Sequence, residues 1–190
     1  MDNKETQREK HFVLVHGACH GAWCWYRVAT HLKSSGHKVT ALDMDASRIH
    51  PKQAQDLNSM VEYVEPLFEF LEGLPEEEKL LSCLVPSSFS LHSRGFDFGI
   101  LLGEAISSVP NQAKMMEEVA VTKGKYGIVR RVYIVCDQDL IITEGLQRWM
   151  AEMNPPDEVK VISGADHMVM FSKPLELHDA LKEIAERYCP

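Results

Sequence analysis

Arg131-Val-Tyr-Ile-Val-Cys136, with Asp139 just beyond it, and Val159-Lys-Val-Ile162, with Ser163-Gly-Ala-Asp-His167 beyond it, decide the reading of this chain. Each begins with a short, strongly apolar run, which reads as a buried strand. An acid after one strand and a histidine after the next supply two members of a Ser–Asp–His arrangement in an α/β protein. In that order of chain the serine comes first, on a Gly-x-Ser-x-Gly turn upstream of Asp139. The sequence holds no Gly-x-Ser-x-Gly.

Working outward, strands and helices alternate. Phe12-Val-Leu-Val15 reads as a strand leading into His16-Gly17. Residues Ala22 to Ser34 read as a helix stopped by Gly36. Lys38-Val-Thr-Ala-Leu42 reads as a second strand ending at Asp43. A helix is expected over Asp56–Leu71, kinked but not ended by Pro66. After the central region come helices around Glu144–Met153 and after Pro174. This alternation predicts a mostly parallel sheet with helices on both faces, in one domain spanning residues 1–190.

The centre reads differently. Leu80–Val85 can form a strand, and so can Phe89–His92. One of the two is expected to pair with both the 12–15 strand and the 131–136 strand.

Composition narrows the function classes. The chain has 190 residues and a net charge of -8, with no cluster of Lys and Arg. Nucleic acid and anionic membrane are therefore not expected partners. No apolar run approaches the roughly 20 residues that cross a bilayer. The charged start lacks a secretory apolar core, and the 5 cysteines form no CxxC pair, so a cytoplasmic protein with reduced thiols is expected. His16 and His20 have no further ligand-spaced partners, and no metal is expected.

His11-Phe-Val-Leu-Val-His-Gly-Ala-Cys-His-Gly-Ala-Trp23 resembles the opening of the plant methyl-ester esterase and α-hydroxynitrile lyase family, within the α/β-hydrolase fold. Gly36-His-Lys-Val-Thr-Ala-Leu-Asp43, Tyr126-Gly-Ile-Val-Arg-Arg-Val-Tyr-Ile-Val-Cys136, Gln147-Arg-Trp149 and Gly164-Ala-Asp-His-Met-Val-Met170 continue the likeness. It covers roughly residues 10–79 and 120–190. The resemblance implies an α/β-hydrolase-type sheet, with Asp139 and His167 as acid and base. It implies oxyanion and substrate contacts at Gly17 and Ala18; Trp23, Trp25 and Met168 are candidates to line a pocket, though aromatic and Met residues at such spacing are more often core. Asp137 competes with Asp139, and register with the family favours Asp139. Asp137 then reads as a solvated turn residue, and Asp166 as a brace of the histidine loop.

Members of that family are roughly 75 residues longer, about half an ordinary domain length. Only the 46 residues Leu80–Lys125 stand where they carry the nucleophile turn, a further strand and a helical cap. A shortened centre at 80–125 with the cap largely missing is therefore expected. The nearest approach to the nucleophile turn is Leu91-His-Ser-Arg-Gly95, with Leu91 where glycine belongs. A leucine crowds that tight turn. Ser93 is thus either a nucleophile-like residue or a surface serine in a remodelled loop, and the second reading is preferred.

Gly17 and Met168 stand where the lyases of one branch carry threonine and lysine, so the likeness is to the esterase branch. The chemistry implied is hydrolysis of small methyl esters, of the methyl salicylate or methyl jasmonate class, by a serine carboxylesterase without cofactor. Turnover is expected to be weak or absent because the nucleophile turn is missing. The alternative is a pseudoenzyme: a non-catalytic protein that binds a small molecule or a partner on the same scaffold.

Overall fold

The computed structural model describes residues 9–17, 20–47, 57, 60–74, 81–84, 130–153 and 155–188. β1 (His11–Val15) pairs in parallel with β2 (Lys38–Leu42), His11 opposite Lys38 and Val15 opposite Leu42. β3 (Leu81–Leu84), β4 (Arg130–Cys136) and β5 (Glu158–Ile162) form a second parallel sheet with β4 in the centre. The expected α/β class, with parallel sheets flanked by helices, is what the chain adopts.

Successive side chains on a strand point to opposite faces, and both faces here are apolar. On β4, Val132, Ile134 and Cys136 enter one core, while Tyr133 and Val135 enter another. On β1, Phe12 and Leu14 join the same first core, while Val13 and Val15 face a third cluster. Period-two sorting into two apolar faces is the mark of a sheet covered on both sides.

The covering helices follow from their own periodicity. α1 (Tyr26–Ser34) buries Val28 and Leu32, after a short 3-10 turn at Ala22–Trp25. Gly36 ends it in the left-handed region at φ 83°, where its N–H donates to Lys33 O at 3.0 Å. A side chain would strain that conformation, and glycine does not. α2 (Met60–Tyr63) and α3 (Glu65–Glu72) follow β2. They replace the single kinked helix expected over 56–71. A proline in a helix interior removes one N–H and crowds the carbonyl four residues back, so Pro66 ends one helix and begins the next across Val64.

α4 (Glu144–Met153) buries Met150 and Ala151 against Tyr133 and Val135. α5 (Val169–Ser172) is a single turn after His167, and α6 (Pro174–Tyr188) begins on Pro174. α6 sends Leu177, Leu181 and Ile184 into the core shared with α1, β1, β4 and β5. Full burial of one such side chain contributes about 1.5–3 kcal/mol.

One expectation about the sheet needs correction. Leu81–Leu84 does form a strand and pairs with β4, Leu81 opposite Arg130. Among the described residues it does not pair with β1, whose partner is β2. The two sheets are joined instead through the apolar core under α1 and α6. Residues 85–129, including Ser93, the 89–92 segment and the expected missing cap, lie outside the described residues.

Candidate active site

The C-terminal ends of the strands carry the polar side chains. Asp139 follows β4 through a tight turn, and its N–H donates to Cys136 O at 3.3 Å. Its Oδ1 accepts from the N–H groups of Ile141 (2.8 Å) and Ile142 (2.9 Å). Oδ2 lies 2.9 Å from Nδ1 of His167, which follows β5. The Asp139 side chain is 0% exposed and that of His167 is 24% exposed. The acid is thus sealed from water while the imidazole is reachable. A carboxylate only accepts, so Nδ1 of His167 carries the proton and Nε2 keeps its lone pair. An imidazole so oriented can take a proton from a hydroxyl or water at Nε2.

Asp137, the competing acid, is placed elsewhere. Its Oδ2 accepts from Ser163 Oγ at 3.0 Å and its Oδ1 from Gly164 N–H at 2.7 Å. It is a tie between the turns after β4 and β5, not a merely solvated turn residue. Asp166 braces the His167 loop, its Oδ1 accepting from Met168 N–H at 2.9 Å.

At the end of β1 the fully buried His16 sets the course of the chain. Its Nδ1 faces Gly17 O at 2.8 Å, and its Nε2 faces Met44 N–H at 3.0 Å. A carbonyl only accepts and an amide only donates, so the ring is neutral with its proton on Nδ1. Burial holds the His16 pKa below its ordinary 6.5, against the opposing effect of the Gly17 carbonyl and Asp43. The other end of the loop is tied by the residue before Met44, just past β2: Asp43 Oδ1 accepts from Ala22 N–H at 2.7 Å. Gly21 lies under this bond. A Cβ there would come within 2.8 Å of Asp43 Oδ1 and 2.8 Å of Trp23 Cδ1. Asp43 and Met44 thus hold both ends of the 16–22 loop. Sequence reasoning noted both histidine and aspartate but gave neither this role.

Gly17 is buried, whereas Ala18 lies outside the described residues. Trp23 does not enter the core. It is 48% exposed and stacks on Phe171 of α5 at 6.1 Å between centroids. That contact joins the β1 loop to the helix after His167. Met168 is half-buried beside the shared core. The thiols of Cys24 and Cys136 are buried and pushed up to about 12 by burial. Neither is a thiolate at neutral pH.

Over 258 aligned positions the chain is 39% identical to Methyl jasmonate esterase 1 of Vitis vinifera, covering 96% of this chain and 99% of that protein. Methylesterase 10 of Arabidopsis thaliana is 30% identical, with 97% and 94% covered. Tomato Methylketone Synthase I, solved in complex with 2-tridecanone, superposes with a TM-score of 0.81 at 30% identity, over 96% of this chain and 100% of that one. No known protein-family profile matches. The chain belongs to the plant methylesterase-type family of α/β-hydrolases. That relationship supports an activity of the carboxylic-ester hydrolase class in general, and a classification among the serine esterases. Because 190 residues cannot fill 258 positions, at least 68 positions of the Vitis protein have no counterpart here.

Proposed function

We propose that this protein is an ester hydrolase for small carboxylic methyl esters, retaining the acid, histidine and oxyanion loop of its family but turning over slowly. The observation that carries the reading is the 2.9 Å Asp139–His167 hydrogen bond at the ends of adjacent parallel strands. In this reading His167 Nε2 takes the nucleophile's proton, Asp139 holds the tautomer, and backbone amides at Gly17 and Ala18 receive the oxyanion. In this reading Trp23 and Met168 line the substrate pocket. Leu91-His-Ser-Arg-Gly95 is the nearest approach to Gly-x-Ser-x-Gly in the sequence, with Leu91 in place of the first glycine, which makes Ser93 the candidate nucleophile. The internal shortening is assigned to residues 80–125, where family members carry nucleophile and cap.

The name of the Vitis relative makes methyl jasmonate the first ester to try, with methyl salicylate as second. Purified protein should release methanol slowly from one of them, and His167→Ala should end the release. Rapid turnover would overturn the proposed weakness, and its loss on Ser93→Ala would make Ser93 the nucleophile. The lack of Gly-x-Ser-x-Gly favours a second reading, a non-catalytic binding protein on the same scaffold. A fluorophosphonate probe separates the two: a labelled serine supports the esterase. No label, together with saturable binding of the intact ester, supports the binding protein.

A further inference from the structure

Gln147, in the first half of α4, is fully buried and is used by none of the steps above. Its Oε1 accepts from Cys136 N–H at 2.9 Å, and its Nε2 donates to Cys136 O at 2.9 Å. The same Nε2 donates to Ile142 O at 2.6 Å. A primary amide carries the acceptor and donor of a peptide group, so Gln147 completes the hydrogen bonding of Cys136 as a neighbouring strand would. Its second N–H spans to the other end of the same turn. Residues 136 and 142 are the two ends of the turn that presents Asp139, and both are held by one NH2 group.

We propose that Gln147 is a positioning residue for the acid–histidine pair: its amide fixes the width of the 136–142 turn and so aims Asp139 at His167. The inference rests on the reading of that pair given above. Within the turn, Asp139 Oδ1 is committed to Ile141 and Ile142, so the carboxylate swings with residue 142. Only Oδ2 is left for His167. With Ile142 O released and Cys136 O left with only the longer 3.3 Å bond from Asp139 N–H, the turn can widen and Oδ2 moves with it. Methionine at 147 preserves volume but offers neither donor nor comparable acceptor. Glutamate keeps an acceptor yet sets a carboxylate against two carbonyls.

The test is the His167 Nδ1 proton observed by NMR in the full-length protein, which needs no turnover. In the wild type it should be hydrogen-bonded and slow to exchange. Gln147→Met and Gln147→Glu should each speed its exchange roughly tenfold or more, the effect expected when a buried, satisfied network is broken. Met150→Ala, which removes a buried side chain from the same helix, serves as the control. It should lower the denaturation midpoint and leave the proton unchanged. A Gln147→Met protein that is destabilised but keeps the wild-type proton signal overturns the proposal, as does a Met150→Ala protein that loses it equally. Retention of the signal in Gln147→Glu overturns the argument from the two donors. Absence of ester hydrolysis with the proton behaving as described leaves this inference standing and removes only the proposed activity.

Discussion

The turn after β4 and the loop after β1 lie at the same ends of their strands and are secured differently. Asp139 bonds to amides two and three residues ahead, and Gln147 closes the turn from the next helix. Among the described residues the β1 loop shows no such closure from a following helix. Two of its described ties, His16 to Met44 and Asp43 to Ala22, cross to the neighbouring strand's exit. The Asp139 turn has a closure from its own helix in addition to its ties to the β5 exit, whereas the described ties of the β1 loop rest on the β1–β2 pairing and on a neutral imidazole. The halves should therefore respond differently to mutation and to acid.

The largest expected effect lies on the β4–β5 side. His167→Ala should reduce any ester turnover to the uncatalysed rate, a fall of about 10²-fold or more for a lost acid–base group. Progress curves on a nitrophenyl ester check this, and an unchanged rate would remove His167 from the chemistry. Next, Ile134 is fully buried in the core that joins the two sheets. Ile134→Ala should cost about 2–5 kcal/mol in urea unfolding. Leu67→Ala, under the β1–β2 half, should cost less. Equal losses would mean that the halves share one core more evenly than the side-chain clusters indicate.

A smaller effect belongs to the β1 loop. Asp43→Ala should destabilise by about 1.5–3 kcal/mol, the range for a hydrogen bond to a charged group. Asp43→Asn, which retains an acceptor, should recover most of it. Gly21→Ala should resemble Asp43→Ala, because its Cβ displaces the same carboxylate. A benign Gly21→Ala would show that the loop can shift without loss.

The smallest effect is the response to acid. Burial lowers the pKa of both His16 and His37 from 6.5, Lys182 and His178 adding to the effect at His37. As pH falls, the unfolded chain takes up these protons first. Stability is therefore complete above about pH 6.5 and declines below it, by at most about 1.4 kcal/mol per pH unit per histidine. Urea midpoints at pH values of about 7.5 and 5.5 measure the slope. His16→Gln, neutral at both, should flatten it. An unchanged slope would place the acid sensitivity at His37 or in the carboxylates.

How much was legible beforehand varied with the range of the interaction. Apolar runs showed β1, β2, β4 and β5 to within a residue, most continuously in the central β4, whose two faces enter two different cores. Pro174 and Gly36 marked helix ends through their own backbone restrictions. Asp139 and His167 were legible as an acid and a histidine each placed just past a strand. What the chain alone left open were relations between side chains distant in sequence. Asp137 and Asp139 are two residues apart and chemically identical. Only the twist of the turn sends one to Ser163 and Gly164 and the other to His167. The tautomer of His16 depends on an amide 28 residues away. Leu81–Leu84 pairs with β4 and, among the described residues, not with β1, because strand propensity does not specify which edges a strand will occupy. Gln147 stood in the sequence as part of the Gln147-Arg-Trp149 likeness within the helix around 144–153; its burial against both ends of the Asp139 turn arises only when α4 packs on β4. Local composition determined the elements and their order, while packing decided which polar groups meet, since a buried hydrogen bond depends on three-dimensional separation and not on spacing along the chain.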